Sequence, residues 1–159
     1  PELYSNAPTL WRFFTGVDFE GYSNVTVFLA GAAVLLFMYF CLTGYKSFAP
    51  QDLIRLFFIS SMLLPYVLPR MHERYFYMAD IMSFLYFMTN RKKWYIPATV
   101  VLSSIVGYIW YFTFAEEGAG LVILDQRYIA LAFFAILATE LRELFRSYWH
   151  RSPDTIPVE

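Results

Sequence analysis

Of 159 residues, 58% are hydrophobic and 21% aromatic, and only 16% are charged. Soluble domains run about 45–50% apolar and about 25% charged, so one small aqueous core cannot bury this surface and lipid is the natural solvent. A net charge of −1 supplies no global basic field and argues against a nucleic-acid partner. The single cysteine, Cys41, lies in an apolar run; it excludes an internal disulfide and reads as a packing or lipid-facing residue rather than a nucleophile.

The start, "PELYSNAPTLWRFF", has no basic stretch leading into an apolar core, so no secretory signal is expected. Because the chain opens on Pro1, it reads as a fragment or a processed product. Five hydrophobic segments follow. The first, Val25 to Thr43, "VTVFLAGAAVLLFMYFCLT", carries no charge and matches the roughly 20 residues of a spanning helix. Its small residues Ala30, Gly31, Ala32 and Ala33 would admit a close helix neighbour. The second, Leu53 to Leu68, has Arg55 near its start and Pro65 near its end. The third, Tyr75 to Met88, is shorter and carries Asp80. One helix bent at Pro65 and Pro69 is an alternative for this pair, but two prolines four apart, followed by charges, favour a break.

The fourth segment, Trp94 to Ala115, has Pro97 in its first turn and an aromatic cluster, Trp110 to Phe112, that reads as an interfacial belt. "EEGAG", Glu116 to Gly120, is either a mobile outer loop or a plain connection. The fifth segment, Tyr128 to about Phe145, turns amphipathic at "TELRELFRSYW". There Glu140, with Arg142, Arg146 and nearby Glu143, reads as a solvated cytoplasmic helix end. The tail "RSPDTIPVE" reads as disordered. The fold class is therefore all-α: a polytopic membrane protein of about five transmembrane helices. Residues 1–22 form an external N-terminal segment, 23–146 the transmembrane helical domain and 147–159 a cytoplasmic tail.

Charge placement orients this arrangement. Five spans put Lys46, Arg55, Arg91, Lys92, Lys93, Arg142, Arg146 and Arg151 on one side; Arg12, Arg70, Arg74 and Arg127 remain on the other. The acids Glu2, Asp18, Glu20, Glu73, Glu116, Glu117 and Asp125 fall with the second set. The positive-inside rule makes the first side cytoplasmic. The N-terminus is then out, the C-terminus in, and the turn "PRMHER" external.

That turn is the chief candidate site. Charges between spans often only cap helix ends. Here Arg70, Arg74 and a protonatable His72 stand where cations are scarce, beside a proline break whose backbone N–H groups can face an anion. Asp80 follows within the next span, where an ionisable group costs about 2.5–3.5 kcal/mol and usually serves function. It reads as a partner for Arg74 or as a carbohydrate ligand. Arginine's planar fork suits phosphate, and a lipid-linked phosphate fits this depth. No metal site is predicted. His72 and Glu73 are adjacent, a helical HExxH pair would need histidine at position 76, which is Phe76, and His150 falls on the opposite side. A proton relay through His72, Glu73 and Asp80 is a further alternative.

At these residues the chain resembles a known family. "LLPYVLPRMHERYFYMAD", with "MHERY" at its heart, is similar to the late motif of bacterial PIG-V-like mannosyltransferases, membrane enzymes of the GT-C glycosyltransferase class. "YSNAPTLW" resembles the same family's Asn-Ala-Pro segment. The resemblance runs by motif from about Tyr4 to Met88 and beyond that only by hydrophobic layout. It implies transfer of a hexose, typically mannose, from a polyprenyl-phosphate donor to an acceptor on the outer or lumenal face, with inversion.

Carried onto this chain, the resemblance makes Arg70, His72, Glu73 and Arg74 contacts to donor phosphate or sugar, with Asp80 beside them and Asn6 and Trp11 as weaker candidates. Arg70 and Arg74 would neutralise the phosphate, His72 would donate to it, and Glu73 would orient an arginine or accept from sugar hydroxyls. The family's general base stands in an early external loop of a much longer chain, and nothing here occupies that place. No catalytic residue is therefore expected within these residues, which correspond to the C-terminal part of such an enzyme. No cofactor is predicted. The implied partners are the bilayer, a polyprenyl-phosphate-linked sugar and the missing N-terminal part of the parent, in a bacterial plasma membrane. Two other functions fit the same turn: a non-catalytic accessory subunit that grips a lipid phosphate, and a transporter or flippase fragment with Asp80 as a gating charge.

Overall fold

The computed structural model describes residues 7–14, 19–44, 50–114 and 126–150. Asn6, the Trp110–Phe112 side chains, the "EEGAG" loop and the C-terminal tail lie outside the described residues. All regular structure among the described residues is helical: α1 (Phe19–Gly44), α2 (Pro50–Val67), α3 (Tyr77–Thr89), α4 (Tyr95–Phe114) and α5 (Gln126–His150). Short 3-10 turns at Leu10–Phe13, Glu73–Phe76 and Arg91–Lys93 punctuate them. The five helices coincide with the five hydrophobic segments, and the fold class is all-α.

The two prolines act where their chemistry requires. Proline lacks an N–H and ends a helix unless it sits at its first turn. Pro50 opens α2, Pro65 falls in its last turn, and Pro69 lies in the turn beyond. At Pro69 no N–H exists to reach back to Pro65, so the helix stops at Val67 and the chain breaks as expected rather than bending on into α3. Arg70 then takes φ 55° to reverse direction.

Helices α2 to α5 pack together, with α2 against α3 and α5, and α4 against α3 and α5. Each presents a stripe at helical spacing. On α2 it is Phe58, Ile59, Met62 and Tyr66; on α5 it is Ile129, Ala130, Phe133, Ile136, Leu137 and Leu144. Phe58 stacks on Tyr86 at 5.4 Å, and Phe76 meets Phe133 at 5.1 Å. Tyr66, whose ring is buried, donates its hydroxyl to the Ala130 carbonyl at 3.1 Å. The start of α5 therefore lies by the end of α2, and neighbouring helices run in alternate directions.

Helix α1 stands apart. It lies against α2 and reaches α5 through Phe40, whose ring centroid is 4.1 Å from that of Phe145. Its stretch Asn24–Thr43 has a mean hydropathy of 2.4, yet only 11% of it is buried. Of the small residues, Ala30 is covered, but a Cβ at Gly31 would meet nothing within 4 Å. Among the described residues no close neighbour occupies most of this face. Among the described residues α1 is also the one helix that is by itself long and apolar enough to cross a membrane. For two of the others the cause is plain: α2 carries Asp52 and Arg55, and α3 has 13 residues, about 20 Å against a hydrocarbon core of about 30 Å.

Candidate functional site: a charged turn and its counterpart at the other end

The end of α2 and the turn after it carry several of the sequence-nominated residues: Trp11 docks there, and Arg70, His72 and Arg74 follow. When α2 stops, the Val67 carbonyl loses its helical donor, and the Trp11 indole N–H takes that place at 2.7 Å. Trp11 is buried, with its 3-10 turn docked on α2 and α5. This hydrogen bond ties Trp11 to Val67, two residues before "PRMHER", so the segment from Ala7 to Trp11 docks next to that turn although more than fifty residues separate them. Arg70 and Arg74 are exposed there. The Arg74 guanidinium lies 5.6 Å from the Tyr75 ring centroid, and the His72 ring is 6.3 Å from the same residue. His72 precedes the Glu73–Phe76 turn in extended backbone, φ −93° and ψ 157°, and its carbonyl accepts from the Tyr75 N–H at 3.1 Å. Glu73 opens that turn; its side chain lies outside the described residues.

Asp80 separates from this group. Its carboxylate accepts the Ser104 hydroxyl, 2.9 Å to either oxygen, which ties α3 to α4. Among the described residues its partner is Ser104, and Arg74 is engaged with Tyr75 instead. Residues 74 and 80 are separated by a 3-10 turn that hands over to α3 at Tyr77, so they do not share a continuous helix face. Of the two readings of Asp80, the pairing with Arg74 is not formed among the described residues.

A second polar constellation occupies the opposite end of α2 to α5. Glu140 is fully buried. One carboxylate oxygen accepts Arg55 Nε at 3.0 Å and the Tyr86 hydroxyl at 2.7 Å; the other accepts Lys93 Nζ at 2.5 Å. Glu143, half exposed, accepts from Arg55 at 2.6 Å and from Lys93 at 2.6 Å. Two cations and two carboxylates thus close on themselves, with a tyrosine donor satisfying a remaining lone pair. Burial alone would pull the Lys93 ammonium down. Its hydrogen bonds to Glu140 and Glu143 more than offset this and hold its pKa above the ordinary 10.5.

This overturns the reading of Glu140 as part of a solvated helix end. Position 140 is four residues after Ile136 and seven after Phe133, inside the buried stripe of α5. The helical period carries it inward, while Arg142 and Arg146 face out. That registry was visible in the sequence as an acid on an apolar face. Tyr86 carries the same signal, seven residues after Ala79 and three after Ser83, both buried. Arg55 and Lys93 gave no such sign, since their acids lie more than forty residues away.

No family model, curated protein or solved structure matches this chain.

Proposed function

We propose that this chain is the C-terminal membrane portion of a glycosyltransferase that moves a hexose, mannose first among them, from a polyprenyl-phosphate donor to an acceptor on the outer face of a bacterial plasma membrane. The observation that supports the reading is the hydrogen bond of Trp11 to Val67 at the end of α2, close in sequence to the exposed Arg70 and Arg74. In this reading the acceptor oxygen bonds to the anomeric carbon as the bond to the phosphate oxygen breaks. The acceptor proton passes to a base outside these residues. The guanidinium groups of Arg70 and Arg74 stabilise the departing phosphate.

The membrane placement, with the helices spanning as a set, draws support from a wide exposed apolar surface together with a buried ion-pair cluster. Phe28, Leu36, Leu42, Phe57, Met88 and Leu102 are exposed, whereas Glu140 and Lys93 are buried. In lipid, apolar side chains face outward and ionisable groups turn to the bundle interior in pairs. The three shorter or charged helices would cross as members of the bundle, their polar groups satisfied internally.

The test is transfer of labelled mannose from polyprenyl-phosphate mannose in membranes carrying the full parent protein. Arg70→Ala and Arg74→Ala are each expected to lower the rate about 100-fold while the protein still resists alkaline carbonate extraction. Wild-type transfer by both variants overturns the site. Donor binding without any transfer by the parent supports the accessory lipid-phosphate subunit instead.

A further inference from the structure

A groove of about 360 Å³ runs along α4 and is walled on its other side by the start of α5. Its length is set by Trp94, Ala98, Leu102 and Val106 on α4; Tyr128 and Ile129 close the far part. Its lining is mostly apolar, and of its four hydroxyl-bearing residues, Tyr95, Thr99, Ser103 and Tyr128, the two aliphatic ones spend theirs on their own helix. Thr99 donates to the Tyr95 carbonyl at 2.8 Å, and Ser103 to the Thr99 carbonyl at 2.7 Å. The groove therefore offers apolar surface and suits a hydrocarbon chain better than a sugar or a peptide.

Its dimensions select the kind of chain. From Trp94 to Val106 the helix rises about 18 Å. One leaflet of a hydrocarbon core is about 15 Å deep, so the groove has the reach of a single acyl chain. A partner helix would need about twice that. Trp94, 66% exposed, stands at the mouth, the depth at which tryptophan settles in bilayers.

The mouth also carries charge. "RKK" divides: Lys93 turns inward to Glu140 and Glu143, while Arg91 and Lys92 are exposed immediately before Trp94. Arg91 stands three residues before Trp94, which lines the groove, and its guanidinium lies 5.9 Å from the Phe87 ring centroid on α3. A basic pair above an apolar slot between two helices is complementary to a lipid with an anionic head.

We infer that the α4–α5 groove binds one acyl chain of an anionic phospholipid whose phosphate is held by Arg91 and Lys92. The inference rests on the membrane placement proposed above; the Arg91–Lys92 end lies opposite the "PRMHER" turn, and the far part of the groove, at Tyr128 and Ile129, runs towards it. The bound lipid is a resident of the inner leaflet, separate from any sugar donor, and it fixes α4 against α5.

The test uses the full chain in nanodiscs of equimolar phosphatidylglycerol and phosphatidylcholine, with retained lipids counted by native mass spectrometry. The wild type is expected to retain one phosphatidylglycerol in strong preference to phosphatidylcholine. Arg91→Gln with Lys92→Gln should reduce that preference about 30-fold, at roughly tenfold per 1.4 kcal/mol and about 1 kcal/mol per surface cation. Ala98→Trp, at an exposed position in the groove, should expel lipid of both kinds; Leu102→Trp repeats the test should the first variant fold poorly. No preference in the wild type, or a preference unmoved by the charge pair and by groove filling, overturns the inference. Alkaline carbonate extraction separates the two readings. A chain released by carbonate defeats the membrane placement and this site together; a resistant chain without lipid preference defeats only the site.

Discussion

Lys93 and Glu140 meet at 2.5 Å although 47 residues separate them, and the carboxylate they share with Arg55 and Tyr86 is fully buried. Removing one partner of such a pair strands the others without solvent, a loss of about 3–5 kcal/mol. Glu140→Ala is therefore expected to lower the unfolding midpoint in detergent sharply. Glu143→Gln should cost below about 1 kcal/mol, because Glu143 is half exposed and solvent screens its pairs. Equal losses from the two variants would show that burial does not govern this cluster.

The same cluster sets an alkaline limit. Lys93 has its folded pKa raised above 10.5, so it binds its proton more tightly in the folded state. Its contribution is complete below the unfolded value of about 10.5 and is lost as pH rises through the higher folded value. Thermal midpoints should hold level from neutral pH to about pH 10 and fall beyond it. Lys93→Met should start lower and fall less steeply over that alkaline range. Parallel curves would remove Lys93 as the source.

Trp11 holds the N-terminal segment to α2 through one hydrogen bond to Val67. Trp11→Phe keeps the aromatic bulk and leaves that carbonyl without its donor, a cost of about 1–3 kcal/mol. Limited proteolysis should then cut between residues 7 and 14 before the rest of the chain is attacked. Cleavage no faster than in the wild type would mean that the indole N–H does not anchor the segment.

Arg70 sits at φ 55°, where a side chain costs about 1–2 kcal/mol. Arg70→Gly removes that strain and adds about 0.5–1 kcal/mol of unfolded-state entropy, so stability should stay within about 1 kcal/mol of wild type. Arg70→Val should be clearly less stable than the glycine variant. Since Arg70→Gly also deletes the guanidinium, it isolates the charge: transfer activity should fall in a protein that melts normally. A glycine variant as active as wild type would assign Arg70 to the turn alone.

Thr9 is fully buried, and its hydroxyl finds no hydrogen-bond partner among the described residues. Replacing it with the isosteric valine removes an unpaid desolvation cost of about 1–3 kcal/mol. Thr9→Val should raise the unfolding midpoint, and a fall would point to a hydrogen bond made by that hydroxyl in solution.

Local chemistry made much of the fold readable. Apolar period and proline placement mark all five helices and the break after Val67, because both act within a few residues. The site was readable in part. The resemblance assigns Trp11 to the same surface as "PRMHER", and Trp11 docks on Val67 next to that turn. For Asp80 the sequence offers Arg74 or a carbohydrate as partner; among the described residues its partner is Ser104, supplied by the next helix. Glu140 was misread because charged neighbours at Arg142 and Arg146 suggested solvent. Its position on the α5 stripe contained the answer, but its partners come from α2, α3 and the turn before α4. Pairings of that range depend on how the helices pack, and single-chain periodicity does not carry it.

The order of residues in the buried cluster has a consequence for synthesis. Both cations, Arg55 and Lys93, leave the ribosome before either acid. At about 5–20 residues per second, Glu140 follows Lys93 by roughly 2–9 s. Through that interval α2, α3 and the start of α4 carry two positive charges that cannot be buried at low energy. Helix α5 is thus the one that neutralises them. A chain stopped before position 140 would keep the contacts among α1 to α4 and leave Arg55 and Lys93 without the carboxylates of Glu140 and Glu143.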